Sequence, residues 1–272
     1  MITDYSKYKR IFAFGCSFTC YSWPTWADLI SLEAPHAVYS NYGKAGMGNL
    51  GISVRIIEAS KRFNFTSDDL ILVMWTTFCR EDRWLRGNWF TQGNVYASTY
   101  PKDWVQEYTD PFGYKVRDHA LIYSTTQYLK SLECDSILLK SSPFAYIEGI
   151  EDSDVADYES LGRQLEFIYK KDYDEMPIDF YTSMGNIWNK GPEQEFLDDW
   201  DKDKKPRWRK DRHPWTTEYL NYLNFIGIKL SDNTKKFAIE SDLWMSRKPR
   251  VTEMHEKFNF LRQNVAHQLK LF

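Results

Sequence analysis

A chain of 272 residues, 43% hydrophobic and 27% charged, can bury one sizeable α/β core with long insertions or a small appendage, whereas two full domains would be crowded. Its net charge of -3 supplies no general attraction to nucleic acid or to an anionic membrane surface, and no stretch approaches the roughly 20 apolar residues of a membrane span, so neither is expected as a partner. The start, Met1 to Lys7, has no apolar core of signal-peptide length, and Cys16, Cys20, Cys79 and Cys134 lack the paired spacing of a zinc site or a disulfide framework. The expectation is a chain made in the cytoplasm with reduced thiols, no metal and no cofactor. Aromatic residues reach 17%, with 11 Trp, and core packing accounts for most of that surplus.

In chain order, residues 10–14 read as a buried strand ending at Gly15. After Pro24, residues 26–33 form a short helix, and residues 37–41 a second strand. A Gly-rich turn over 43–51 follows, and Leu50, Val54 and Ile57 recur at helical spacing up to Lys61. Residues 70–75, Leu-Ile-Leu-Val-Met-Trp, are an unbroken apolar run of the kind made by a central strand covered on both faces. Leu121, Thr125, Tyr128 and Leu132 mark the next helix, and residues 136–140 the next strand. The alternation predicts an α/β fold, a three-layer α/β/α arrangement with a doubly wound, mostly parallel sheet and long loop or helical insertions.

Two regions break the rhythm. Residues 79–117 hold Trp84, Trp89, Phe90, Tyr96, Tyr100, Trp104, Tyr108 and Phe112 among Gly, Asn and Pro, and read as an irregular aromatic insertion after the central strand. Residues 145–210 form a second insertion, acidic and helical over 152–174 and ending in a charged run over 201–210 that reads as a solvated loop. From Pro214 a helix carries Tyr219, Leu223, Ile226 and Leu230, weakened by Gly227. Beyond Asp232 the pattern is mixed, and Phe258, Leu261, Val265 and Leu269 suggest a final amphipathic helix. The expected organisation is a domain over 1–231 and a helical extension over 232–272, which packs on the domain or joins copies of the chain as a homo-oligomer.

Nucleophilic acyl chemistry requires a hydroxyl on a sharp strand-to-helix turn, a histidine to take its proton, a carboxylate to orient that histidine, and donors for an oxyanion. Ser17 stands just past the first strand, where Gly15 permits a tight turn and Thr19 can tie its hydroxyl to it. Read from the turn alone, Ser17 serves equally as a helix cap. Asp211-Arg212-His213-Pro214 lies just before a helix, which places a histidine beside a carboxylate where a loop can reach the first strand's end.

Phe14-Gly15-Cys16-Ser17-Phe18-Thr19 resembles the first block of the SGNH/GDSL hydrolases, Asn41 to Asn49 resembles the second, and Asp211 to Pro214 resembles the fifth. The resemblance covers residues 10–225 in order and approximate spacing. It implies the flavodoxin-like fold of that family, with Ser17 as nucleophile, His213 as base and Asp211 orienting it. It also implies an oxyanion hole from the backbone N–H groups of Ser17 and Gly46 together with a side chain of Thr77 or Asn49.

Three departures stand out. Cys16 replaces the usual Asp, the third-block Asn is replaced by Thr76-Thr77 with Arg80 close behind as a source of positive charge, and Asp211 precedes His213 by two residues where three is more usual. The implied activity is a serine esterase removing acetyl or other small acyl groups from a carbohydrate, its partner an acylated small-molecule or glycan substrate; the Trp-rich insertion, with Trp84 and Trp89 near Arg80, offers aromatic faces to stack on pyranose rings. Two further readings stay open: an acyltransferase onto a sugar hydroxyl, and a non-catalytic virion or surface glycan-binding protein of phage or bacterial origin.

Overall fold

A computed structural model describes residues 4–97, 99–143, 155–184, 194–198 and 207–262. The chain enters through β1 (Arg10–Phe14), passes α1 (Trp26–Ser31), returns as β2 (Val38–Asn41), crosses through α2 (Asn49–Phe63) and forms β3 (Asp69–Trp75). The hairpin of β4 (Arg80–Leu85) and β5 (Asn88–Asn94) and the short α3 (Lys102–Tyr108) precede α4 (Pro111–Lys130) and β6 (Asp135–Lys140). Then come α5 (Val155–Asp174), α6 (Phe180–Ser183), the hairpin of β7 (Gln194–Asp198) and β8 (Arg207–Asp211), α7 (Thr216–Phe225), α8 (Asp232–Met245) and α9 (Val251–Phe258). A 3-10 turn, Asn259–Arg262, closes the described chain.

The main sheet has the order β2-β1-β3-β6 and is parallel throughout, with Ile11 paired to both Tyr39 and Leu70, and Leu70 to Asp135. Alternate residues of its central strands face opposite layers, as strand geometry requires. Ile11, Ala13, Leu70, Leu72 and Met74 pack with Trp26 and Leu29 of α1 and Tyr219 and Leu223 of α7. Phe12, Phe14, Ile71, Val73 and Trp75 pack with Ile52 and Ile56 of α2 and Ile122 and Leu129 of α4. The result is the expected three-layer α/β/α fold, and its parallel crossovers bring the loops after β1, β2, β3 and β6 to one edge. No described helix is long and apolar enough to cross a membrane.

The insertions are more regular than their composition suggests. Residues 79–117 contain a hairpin whose two-residue turn places Arg86 and Gly87 at φ 51 and 81, the left-handed pair that matches hairpin twist. The helix expected around Leu121 begins ten residues earlier, at Pro111, where Asp110 caps it by accepting from Gly113 N at 2.8 Å. Its interior face carries buried Lys115, Asp118, His119, Thr125 and Thr126, so the apolar period that announces a helix is missing.

In the second insertion α5 falls inside the expected acidic helix. The charged run expected as a loop instead enters strand β8 at residue 207, while 201–206 lie outside the described residues. Helix α7 stops at Phe225, because Gly227 turns at φ 84 and Ile228 N reaches back to Leu223 O at 2.8 Å, which removes Ile226 and Leu230 from the helix face. Past Asp232 the mixed stretch is helical. Asp242 of α8 accepts from Thr216 N and Thr217 N, both at 3.0 Å, and caps α7 from outside. Phe258 and Leu261 are buried with Trp23, Phe196, Met245 and Met254, while Ile239, Leu243 and Phe260 of the same stretch are exposed; Val265 and Leu269 lie outside the described residues.

Candidate active site

Ser17 sits on one tight turn past β1, in which Thr19 N and Cys20 N both donate to Cys16 O at 3.0 and 3.2 Å. Gly15 is required by space: a Cβ there would stand 2.0 Å from Thr19 Oγ1 and 3.1 Å from Met74 O. Thr19 O is gripped by Thr25 Oγ1 and by Asn41 Nδ2, each at 2.7 Å, so the end of β2 braces the turn. Cys16 points into the core while Ser17 keeps a small exposed fraction, as alternating directions in a turn dictate.

His213 lies in the loop between β8 and α7, and its Nε2 is 2.8 Å from Ser17 Oγ. Its Nδ1 is 2.8 Å from Asp211 Oδ1, an oxygen that also accepts from the His213 backbone N–H at 2.7 Å. With Nδ1–H donating to the carboxylate, Nε2 offers its lone pair to the serine hydroxyl. The second carboxylate oxygen, Oδ2, accepts from the Tyr21 hydroxyl. Burial pushes the Asp211 pKa up, but the hydrogen bonds from His213 and Tyr21 outweigh it and hold this carboxyl below its ordinary range. The carboxyl is therefore held in its anionic form beside His213 Nδ1.

Gly46 adopts φ +75, and a Cβ on it would meet Thr91 O at 2.7 Å and Gly93 N at 2.9 Å. The loop bearing it is fastened to the Ser17 turn by Lys44 N to Gly15 O at 3.0 Å and to β5 by Gly93 N to Gly46 O at 3.0 Å. Among the described residues, the backbone N–H groups of Ser17 and Gly46 donate to no protein acceptor. Thr77 is buried, and its Oγ1 accepts from Arg80 Nε at 3.0 Å, which leaves the Thr77 hydroxyl hydrogen available to a further acceptor. Arg80 also donates through Nη1 to Met47 O at 3.3 Å, so this side chain straps the 47 and 77 loops together.

Asn49 has a different job from the one expected. Its Nδ2 donates to Thr76 O at 3.1 Å and to Asp118 Oδ2 at 3.0 Å, while its Oδ1 accepts from Thr76 N at 3.0 Å. Both amide hydrogens are engaged, and the side chain splices the start of α2 to the end of β3 in place of serving an oxyanion. Trp84 and Trp89 stand opposite each other on β4 and β5, edge to face at 5.7 Å, with Trp84 43% exposed. Lys44 Nζ to Trp89 O at 2.5 Å and Thr91 Oγ1 to Ala45 O at 3.0 Å pin this hairpin to the Gly46 loop. Trp104 instead stacks on Tyr100 at 5.2 Å and lies under the Arg83 guanidinium, partly buried against the core.

The expectation from sequence omitted Tyr21, whose ring lies parallel to that of His213, and Asp82, which accepts from Gly48 N at 2.9 Å and Gly51 N at 2.8 Å to cap α2. Tyr21 was detectable only by its closeness to Ser17 in the chain. Asp82 lacked any local signal, because the amides it caps lie 34 and 31 residues away.

No protein-family model matches the chain, and no curated protein matches it. Among solved structures it is similar to a member of the lipolytic protein G-D-S-L family from Veillonella parvula, at 16% identity over 73% of this chain and 89% of that one, with a TM-score of 0.37. It is also similar to a GDSL-like lipase from Bacteroides thetaiotaomicron, at 15% identity over 80% of this chain and 85% of that one, with a TM-score of 0.39. The parallel β2-β1-β3-β6 sheet clad by helices on both faces is a three-layer α/β/α fold, with Ser17 just past its first strand and His213 just ahead of α7.

Proposed function

We propose that this protein is a serine acyl-hydrolase that removes acetyl or other small acyl groups from a carbohydrate. The observation that carries the proposal is the continuous relay from Ser17 Oγ through His213 to Asp211, with both links at 2.8 Å. In that reading His213 Nε2 takes the Ser17 proton as Oγ attacks the ester carbonyl, and the resulting imidazolium is balanced by Asp211. The imidazolium then protonates the leaving alcohol, and an acyl-enzyme remains. Water, deprotonated by the same nitrogen, attacks that ester and frees the acid and the serine.

The tetrahedral oxyanion would be held by the backbone N–H groups of Ser17 and Gly46, with the Thr77 hydroxyl in the third place. One such donor is worth about 10²–10³ in rate, so replacing a carboxamide by a hydroxyl is compatible with catalysis at reduced strength. A sugar as the alcohol component is supported by the half-exposed Trp84 and Trp89 pair on the hairpin tied to the Gly46 loop, since aromatic faces cover pyranose rings.

The deciding experiment is fluorophosphonate labelling combined with turnover of a simple acetyl ester. The wild type is expected to label and turn over, and Ser17→Ala to do neither. A wild type that does neither overturns the hydrolase proposal and leaves a glycan-binding role. Replacing Trp84 and Trp89 by Ala should weaken binding of acetylated glycans while simple-ester turnover persists; unchanged glycan binding removes the sugar from the proposal.

A further inference from the structure

We infer that Tyr21 is a positioning residue of this site, holding Asp211 with its hydroxyl and one face of the His213 imidazole with its ring. The kinetic consequence rests on the hydrolase proposal above, whereas the contacts stand on geometry alone.

The need for such a residue follows from the fold. Ser17 is carried by the main sheet, but Asp211 ends β8, part of a separate two-stranded hairpin, so nothing in the sheet's own ladder sets the distance between them. Tyr21 belongs to the nucleophile's own loop, four residues past Ser17, and its hydroxyl donates to Asp211 Oδ2. Asp211 Oδ1 is already filled by the His213 ring and backbone N–H. With both oxygens engaged in different directions, the carboxylate cannot rotate about its own axis without losing a bond.

The ring acts separately. Tyr21 and His213 stack with centroids 3.8 Å apart and planes 17° from parallel, while Phe18 meets the imidazole edge-on at 5.6 Å and 83°. The imidazole is thereby confined between two aromatic walls in the one orientation that aims Nε2 at Ser17. When the serine proton arrives, the positive ring lies against the π face of Tyr21, which favours the charged form. Tyr21 is itself held by the fully buried Trp23, edge to face at 4.5 Å, whose Nε1 donates to Pro214 O at 2.8 Å. Burial and the Asp211 charge push the phenol far above its ordinary range, so it acts as a fixed donor and takes no part in proton transfer.

The test compares the wild type with Tyr21→Phe, which keeps the ring, and Tyr21→Leu, which removes it. Tyr21→Phe should lower kcat roughly ten- to hundred-fold, the worth of one hydrogen bond to a charged group, at nearly unchanged KM. It should also broaden the downfield Nδ1–H proton resonance of His213, and Tyr21→Leu should lower kcat further. A fluorotyrosine placed at position 21 alone, a stronger donor of the same shape, should shift that resonance without disturbing the fold. Wild-type kcat and an intact resonance in Tyr21→Phe, or an unmoved resonance with fluorotyrosine, overturn the assignment. If the wild type neither labels nor turns over ester yet the resonance still responds to Tyr21, the hydrolase proposal falls and the positioning role stands.

Discussion

Asp211 and His213 are joined twice through a single oxygen: Oδ1 accepts the His213 backbone N–H at 2.7 Å and its Nδ1 at 2.8 Å. The backbone contact pulls the carboxylate back over the following loop, and this lets a two-residue spacing do what a longer one usually does. Asp211→Asn would present an amide to Nδ1 and favour the wrong tautomer. It is expected to lower kcat by roughly 10⁴, measured by steady-state ester hydrolysis. A loss below tenfold would show that Asp211 does not orient His213.

Gly46→Ala should damage both the loop and the rate. Its φ of +75 is strained for any residue with a Cβ, and that atom would lie 2.7 Å from Thr91 O, a backbone group of β5 that cannot swing aside. Urea unfolding should register a loss of about 1–3 kcal/mol. On the proposed role of the Gly46 N–H as an oxyanion donor, fluorophosphonate labelling of Ser17 should slow by more than that stability loss explains. Labelling at the wild-type rate would exclude Gly46 from the oxyanion hole.

Asp118 makes a pH prediction. It is wholly buried on α4, and burial raises its pKa to about 6 although Arg117 and the Asn49 amide act in the opposite direction. In the unfolded chain the same carboxyl titrates near about 3.9. Between those values the folded protein binds the extra proton, so this group's contribution is fully present below pH ~4 and is lost as pH rises through about 6. The stability of the wild type relative to Asp118→Asn should fall by on the order of 2 to 3 kcal/mol from pH 4 to pH 7, read by urea denaturation at each pH. A difference that stays flat across the window, or grows with pH, contradicts the assignment.

Met254 tests whether the C-terminal helices belong to the same cooperative unit as the site. It is fully buried on α9 with Trp23, the residue that holds both Tyr21 and the Pro214 carbonyl. Met254→Ala should lower the unfolding free energy by about 2–5 kcal/mol in a single transition. A near-native midpoint, or a first transition that leaves Ser17 labelling intact, would show that α8 and α9 fold apart from the sheet domain.

Much of the frame is readable from residue order because burial on both faces leaves a local mark. The run Leu70 to Trp75 reads as a central strand covered on both faces, and β3 is buried along its whole length. The turn at Gly15 and the histidine ahead of α7 are likewise local features, each set by a glycine, a proline or a strand end next to it. The hairpin β4–β5 and the first turns of α4 escaped, since their turn is Arg86-Gly87 and the inner face of α4 is built of paired polar groups. Lys115 is buried there because Glu166, 51 residues away, meets it at 2.7 Å.

Composition, the alternating apolar runs and the ordered Ser17, Gly46 and His213 motifs thus carried the fold class and the chemistry expected of it. The duties of Asn49, Tyr21 and Asp82 were decided elsewhere. Asn49 meets Thr76 across 27 residues and Asp118 across 69, and Tyr21 meets Asp211 across 190. A carboxamide, a phenol or a carboxylate is defined by which atom lies within about 3 Å of it, and that distance comes from how strands and helices pack and not from neighbours in the chain.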